Sequence, residues 1–600
     1  MTPAQQWGRA DGQIGVLSWR ARANLTLVGM AVGGVVSWHL ALVAVSDGLG
    51  IGDWDRTLAT LVKGHPLDAS PHASGRPSAV LAVTVWALLV VALFAAYVAF
   101  VYALARRRAR SRATKGMADT QTLRAKFGQE RARRLAAQSR PGMTARQIAS
   151  APLGEVGWRV GQASDGSDLV IALEDHVLVV APTGLGKSSQ VLIPAALTAP
   201  GALIVTSTRA DVLDVIAQPR SRTGRVWVFD PLGRVGWPHA MVWDPVEGCQ
   251  DARIATSRAM GFAAGLASSD AGNAVFFEEM AAQVLACLLH AAALAGGTIE
   301  DVLAWTITLT EDQAQEAQRI IAESTDPRAQ RLWAGLLCGA ASGADETVSS
   351  TRMQLQREVR ALADNDVLRI VTPQPGVPAF AAREFVTSTD TLVLISDHTA
   401  ATNVGPLTAM LFQELVDEAK DAALRLPGGR IDPPTRVVGD EITNIAPIKL
   451  LPDLASDLRG YGWQLFIGVQ SDAQIVKRWG TEGARVLTGN LVCEIALPGI
   501  RDTKTLERLS QLVGSVDVQE ITASFNERET VTGQSMTVRE RRVLRPEEIR
   551  TMPDGKALVV FRNAPPTIAA LTPWYQLPDS AVLTNAARAT AQARAATPRR

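Results

Sequence analysis

Two long apolar stretches, residues 25–45 and 78–104, lie near the start of the chain. Each meets the length of about 20 residues that a helix needs to cross a bilayer. The first carries His39 and several glycines, whereas the second has no charged residue from Ala79 through Val101. Trp19, Trp38, Trp86, Tyr97 and Tyr102 include candidate interfacial anchors. From Trp158 the pattern changes to short apolar, β-rich runs at 177–180, 202–206, 226–229, 391–395, 437–439, 464–469 and 491–496, with helical patterns between them. Strands alternating with helices predict a parallel sheet covered on both faces. The alternation stops between 251 and 364, where 276–294, 314–322 and 347–362 show helical periodicity. That stretch reads as a helical subdomain inserted into the α/β body. Residues 520–542 are short, polar and strand-like and predict a β-hairpin insertion. After 578 the chain is rich in Ala, Arg and Thr without an apolar stripe, which predicts a disordered tail.

Charge orients the apolar stretches. Arg9, Arg20 and Arg22 precede the first, and Arg106, Arg107, Arg108, Arg110, Arg112 and Lys115 follow the second. Only Arg56, Lys63 and Arg76 lie between them. The bias predicts two transmembrane helices with both termini in the cytoplasm, in the inner membrane of a cell, with a short loop outside. The basic segment that follows reads equally as a linker touching anionic lipid and as a solvated charged helix. Over 600 residues the formal net charge is only +1, so any nucleic acid must meet a local patch or a pore. The four cysteines, Cys249, Cys287, Cys338 and Cys493, form no CxxC pair and read as small buried apolar residues.

Candidate chemistry centres on residues 177–188, an apolar run followed by Ala181-Pro182-Thr183-Gly184-Leu185-Gly186-Lys187-Ser188, with Ser189 opening a helix. A phosphate-binding loop joins a strand to a helix N-terminus, so that converging backbone N–H groups and the helix dipole meet an anion. Lys187 would then reach the β- and γ-phosphates of ATP and the Ser188 hydroxyl would hold Mg²⁺. Ala181 stands where the strict pattern has glycine, which requires a negative φ there. Asp440 and Glu441 end a short apolar strand, where Asp440 would hold Mg²⁺ and Glu441 would polarise the attacking water. Gly439, directly before them, is unusual for a packed strand. Gln470 ends the next strand and could sense the γ-phosphate; a plain polar strand end is the alternative. Arg459, in Arg-Gly-Tyr-Gly462, could act in trans on a neighbour's transition-state charge or simply complement a helix C-terminus.

These residues resemble the type IV coupling proteins, the TraG/TraD-like ATPases of conjugation. The resemblance rests on the two spans, the loop, Val228-Phe-Asp-Pro231, Val242-Trp-Asp-Pro245, Asp440-Glu441, Leu458-Arg-Gly-Tyr-Gly462 and Gln470-Ser-Asp-Ala-Gln474 with Trp479-Gly480. It continues through Val486-Leu-Thr-Gly-Asn490, Asp502-Thr-Lys-Thr505 and Leu544-Arg-Pro-Glu-Glu-Ile549. It implies an α/β fold: a RecA-like P-loop parallel sheet with an inserted all-α domain, preceded by two transmembrane helices. It also implies a homo-hexamer that receives a relaxase-bound DNA strand and passes it to type IV secretion channel proteins. Under it, Lys187, Ser188, Asp440 and Glu441 form the ATP site, Gln470 is the γ-phosphate sensor, Arg459 the trans arginine, and 251–364 the cargo-recognising part. Thr206 and Arg209 depart from the Asp and Lys that many relatives carry nearby.

The expected partition is a membrane anchor (1–104), a basic linker (105–157), a nucleotide-binding domain (158–250 and 365–577), the all-α insertion (251–364) and the tail (578–600). Two other readings are an FtsK-like double-stranded DNA pump, which would carry more spans and a winged-helix reader, and a docking receptor for protein effectors.

Overall fold

The computed structural model describes residues 32–44, 49, 51–65, 76–113, 116–265, 272–308, 311–324, 333, 345–396, 403–440, 442, 451–525 and 531–597. They fall into two compact bodies, one from Met1–Lys115 with Ser515–Arg541 and one from Gly116–Gly514 with Arg542–Arg600.

The strands in chain order are β1 (Gly157–Gln162), β2 (Asp168–Ala172), β3 (Val177–Val180), β4 (Leu203–Ser207), β5 (Val226–Phe229), β6 (Thr391–Ile395) and β7 (Thr435–Asp440). They continue with β8 (Trp463–Val469), β9 (Cys493–Ala496), β10 (Ser515–Phe525), β11 (Val531–Arg542), β12 (Lys556–Phe561) and β13 (Thr567–Ala570). Eleven of them form one sheet in the order β2-β1-β13-β12-β9-β3-β8-β7-β4-β6-β5. From β9 to β5 every pairing is parallel, and the other four strands extend the sheet antiparallel. The seven parallel strands are the seven runs expected from the apolar pattern. β3, β4 and β6 are buried along their whole length, as a sheet covered on both faces requires.

Alternate residues of β3 feed two cores, one on each face of the sheet. Leu178 and Val180 join a core with Phe262, Leu285, Leu411 and Phe412. Val177 and Val179 join another with Val191, Leu192, Val212 and Ile216. The first core shows what the helical stretch does. Ala252–Ala264, Gly272–Ala295, Ile299–Thr308, Glu311–Ala322 and Asp345–Val359 are helices, and no strand lies among the described residues of 251–364. Their buried side chains are continuous with the sheet's core, so they do not separate from the α/β body. Arg258 Nη2 pairs with Glu414 Oε1 at 2.7 Å, tying this stretch to the helix Gly405–Arg425, and the same carboxylate accepts from Trp243 Nε1, before the stretch, at 2.7 Å.

Two expectations are corrected. Beyond residue 116 the basic linker is folded onto the body as the helices Thr120–Phe127, Gln129–Ser139 and Ala145–Ser150. Its arginines are used in contacts: Arg131 pairs with Asp175 at 3.1 Å, and Arg140 with Asp432 at 2.5 Å and Glu155 at 2.6 Å. The tail is the helix Ser580–Ala596, with Leu583, Ala586 and Thr590 buried. Alanine is the best helix former, and a face of small residues suffices to pack closely on Asp211–Ser221.

In the other body the described part of the first apolar stretch is helical over Val32–Ala44, and the second lies in Arg76–Ala113. Trp38 and Trp86 meet edge to face at 5.8 Å. His39 is explained by its partners, Thr57 Oγ1 at 2.7 Å and the Ile51 carbonyl at 3.1 Å, and by stacking on Trp54. Among the described residues two helices hold an 18-residue window long and apolar enough to cross a membrane. Val80–Tyr97 is barely buried, whereas Glu278–Ala295 is mostly buried and is a core helix. β10 and β11 pair with each other as the expected two-stranded insertion.

Candidate nucleotide-binding site

The sheet register assembles the site. β8 lies between β3 and β7, all parallel, with Val180 opposite Val469 and Asp440 opposite Gly468. Ala181, Gln470 and Asp440 therefore emerge at the same carboxyl edge, where open α/β sheets bind ligands. Glu441 lies outside the described residues. Ala181 extends the ladder by donating its N–H to the Val469 carbonyl at 3.0 Å. Its φ is negative, which meets the condition for alanine at that position. The loop then turns through Gly184 (φ +83) and Gly186 (φ +85), conformations that L side chains rarely adopt. Pro182, Thr183 and Leu185 fill the rest of the turn and are partly or fully exposed.

The helix after the loop opens as a π-turn over Ser188–Leu192 and continues through Ile193–Leu197. Ser189 Oγ and the Gln190 N–H both donate to the Gly186 carbonyl, at 3.2 and 2.8 Å, fixing the loop to the first turn. Lys187 is buried to 8% exposure and its Nζ faces Asp440 Oδ1 at 2.9 Å as an ion pair. Ser188 Oγ donates to Asp440 Oδ2 at 2.8 Å. The structure thus brings the loop lysine, the loop serine and the strand-end aspartate into one cluster. A hydroxyl and a carboxylate this close are the hard oxygen donors that Mg²⁺ takes, and the adjacent ammonium suits phosphate oxygens.

Two glycines shape the floor. A Cβ on Gly468 would lie 3.0 Å from Lys187 Cδ, so β8 leaves bare backbone where the lysine crosses it. A Cβ on Gly439 would meet Ile442 Cβ at 3.0 Å; the buried Ile442 side chain folds back over this position, which accounts for the glycine before the acids.

Gln470 follows directly on β8, and its backbone N–H donates to Gln474 Oε1 of the next turn at 2.8 Å. The two glutamines of Gln470-Ser-Asp-Ala-Gln474 therefore shape the strand-to-helix turn together. Arg459 is elsewhere. It ends the helix Leu451–Gly460 before β8 begins, and Nη2 pairs with Glu174 Oε1 at 2.9 Å. Seven residues of β8 at about 3.3 Å each separate it from Gln470 by roughly 20 Å. The described cysteines are buried thiols rather than reactive ones: burial pushes the Cys249 thiol up to about 11 and the Cys287 thiol to about 12, and Cys493 is also buried. Cys338 lies outside the described residues.

One group was not singled out from the sequence. Arg508 makes paired bonds to Asp472 (2.6 and 3.0 Å) and to Glu494 (3.0 and 2.6 Å). The signal available was Asp502-Thr-Lys-Thr505, a helix N-cap pattern that places Arg508 one turn further on.

Comparison with known proteins agrees with this architecture. A family profile described as Type IV secretory system Conjugative DNA transfer matches residues 125–597. The VirD4 protein of Rhizobium radiobacter is 22% identical over 411 residues, covering 67% of this chain and 57% of that protein. The conjugal transfer protein TraG of Agrobacterium fabrum is 22% identical over 421 residues, covering 67% and 61%. The chain thus matches under two thirds of the length of these curated relatives. The bacterial conjugative coupling protein TrwBdeltaN70 has a similar fold, with a TM-score of 0.51 at 19% identity over 69% of this chain and 88% of that one. With the profile spanning most of its length, the chain belongs to the type IV secretory system conjugative DNA transfer family, the type IV coupling proteins.

Proposed function

We propose that this protein is a membrane-anchored, homo-hexameric ATPase that takes a relaxase-bound DNA strand and drives it into a type IV secretion channel. The observation that carries the reading is the cluster of Lys187, Ser188 and Asp440 at the carboxyl edge of β3 and β7. A TrwB structure of similar fold was solved with ADP and Mg²⁺. Here Ser188 and Asp440 are the residues that would hold Mg²⁺, whose charge offsets that of the phosphates. To meet ATP, Lys187 exchanges its ion pair with Asp440 for the β- and γ-phosphates, and Ser188 turns its hydroxyl proton away from the carboxylate. Glu441 orients and polarises the attacking water, Gln470 reads the γ-phosphate, and Arg459 serves a neighbouring subunit. The apolar window Val80–Tyr97, with arginines flanking both apolar stretches, supports an inner-membrane anchor with both termini in the cytoplasm. The helices of 251–364 are the surface for cargo.

The test is ATP hydrolysis by the purified full chain with and without single-stranded DNA. Lys187→Ala is expected to abolish turnover, because the phosphates lose the loop's cation. Stimulation by single-stranded DNA is expected in the unaltered protein. Near-normal turnover in Lys187→Ala overturns the site. Stimulation by double-stranded DNA alone favours a duplex pump, and indifference to any DNA favours a receptor for protein effectors.

A further inference from the structure

The turn after β8 is held more firmly than a strand end requires. Asp472, two residues beyond Gln470, begins the helix Asp472–Asn490. Its N–H donates to Thr505 Oγ1 at 3.1 Å, and that hydroxyl donates to Asp502 Oδ2 at 2.5 Å. Its carboxylate receives Arg508 Nε and Nη2 at 2.6 and 3.0 Å. Thr505 and Arg508 are three residues apart on the helix Thr503–Val513 and so share a face. Arg508 also grips Glu494 on β9 through Nη1 and Nη2. Glu494 is level with Leu178 of β3 in the register, and β3 lies between β9 and β8. One guanidinium therefore ties β9, on one side of the loop-bearing strand, to the start of the helix that follows β8, on its other side, with the Gln470 turn next to the latter contact. Planar, paired hydrogen bonding to two carboxylates fixes geometry in a way a point charge does not.

From this we infer that Arg508 is a positioning residue for ATP hydrolysis: acting through Asp472, it holds the Gln470–Gln474 turn in the place from which Gln470 meets the γ-phosphate. The inference rests on the ATPase reading above. If Arg508 only glued a helix to the body, its loss would lower stability and leave turnover per folded molecule intact.

The experiment measures kcat, KM for ATP and thermal stability of the full chain in detergent for Arg508→Ala, Gln470→Ala and the double variant. Arg508→Ala is expected to lower kcat about tenfold, the scale for removing a group that orients a functional one, with KM within about twofold. The double variant is expected to be no slower than Gln470→Ala alone, because both changes remove one action. Arg508→Lys, which keeps the charge but not the paired geometry, is expected nearer to Arg508→Ala than to the unaltered protein. Should Arg508→Ala fail to fold, Glu494→Gln takes its place in the cycle with the same non-additivity expected. Losses that multiply in the double variant, an inert Gln470→Ala, or a lower melting temperature with unchanged kcat each overturn the inference. These are distinct from retained hydrolysis in Lys187→Ala, which overturns the ATP site itself.

Discussion

Gly468 carries no side chain, yet the position of Lys187 depends on it. With a Cβ only 3.0 Å from Lys187 Cδ and 3.2 Å from the Gly439 carbonyl oxygen, Gly468→Ala moves the flexible lysine rather than the backbone. Nucleotide affinity is expected to fall about tenfold, or about 1.4 kcal/mol, while the melting temperature holds. Titration with a fluorescent ATP analogue checks this. At the opposite end of β3, His176 is buried with a fixed tautomer. The Leu465 N–H donates to its Nδ1 at 3.2 Å, so Nε2 carries the proton and donates to the Ala455 carbonyl at 2.9 Å. Burial, assisted by the nearby Arg459 guanidinium, brings the imidazole pKa down to about 4 from its ordinary value of 6.5. Because the folded value is depressed, the unfolded chain binds a proton between those values and the folded chain does not. Stability is therefore unaffected above pH 6.5 and falls as pH drops through the window, by about 3 kcal/mol at pH 4. Urea unfolding at stepped pH checks it: His176→Gln is expected to flatten that part of the profile.

At the scale of elements, the helix Ser580–Ala596 is held by a nameable lock. Arg594 makes paired bonds to Asp214 at 2.6 and 2.8 Å and donates to the Val235 carbonyl at 2.6 Å, with both charged side chains only 16% exposed. Arg594→Ala is expected to cost about 1–3 kcal/mol of local stability. Amide hydrogen exchange across Ser580–Ala596 should accelerate accordingly, while β3 to β9 stay protected. That helix was hidden in the sequence because its inward face is Leu583, Ala586 and Thr590, which makes no apolar stripe. The parallel strands were legible because burial on both faces demands unbroken Val, Ile and Leu. β1, β2 and β13 were not: β1 is broken by Gly157 and Gly161, β2 and β13 are only five and four residues long, and each of the three has an exposed position. β12 is apolar enough to have been found. In the site, the loop and Asp440 were readable because phosphate chemistry constrains adjacent residues. Arg508, Asp472 and Glu494 meet only through the fold, and spacing along the chain carries no trace of that.

At the scale of the whole molecule, Arg459 poses the question of assembly. It lies too far from the Gln470 end to serve its own nucleotide, and Glu174 holds it within its own chain. A role in trans predicts that mixing Arg459→Ala with Lys187→Ala subunits restores part of the turnover. In such rings the second variant lends its arginine to the intact loops of the first. No recovery in rings shown to be mixed, with assembly intact, would refute it. The sheet order has a different consequence, in time rather than space. Val177 of β3 pairs with Phe466 on one side and Cys493 on the other, so both partners leave the ribosome long after β3 does. At about 5–20 residues per second the wait is on the order of tens of seconds. Throughout it, the strand that carries the phosphate loop is an apolar segment without neighbours and prone to aggregate. A chain stopped short of Ala496 never ends that wait, and expression of this protein is expected to lean on chaperones until β9 has been made.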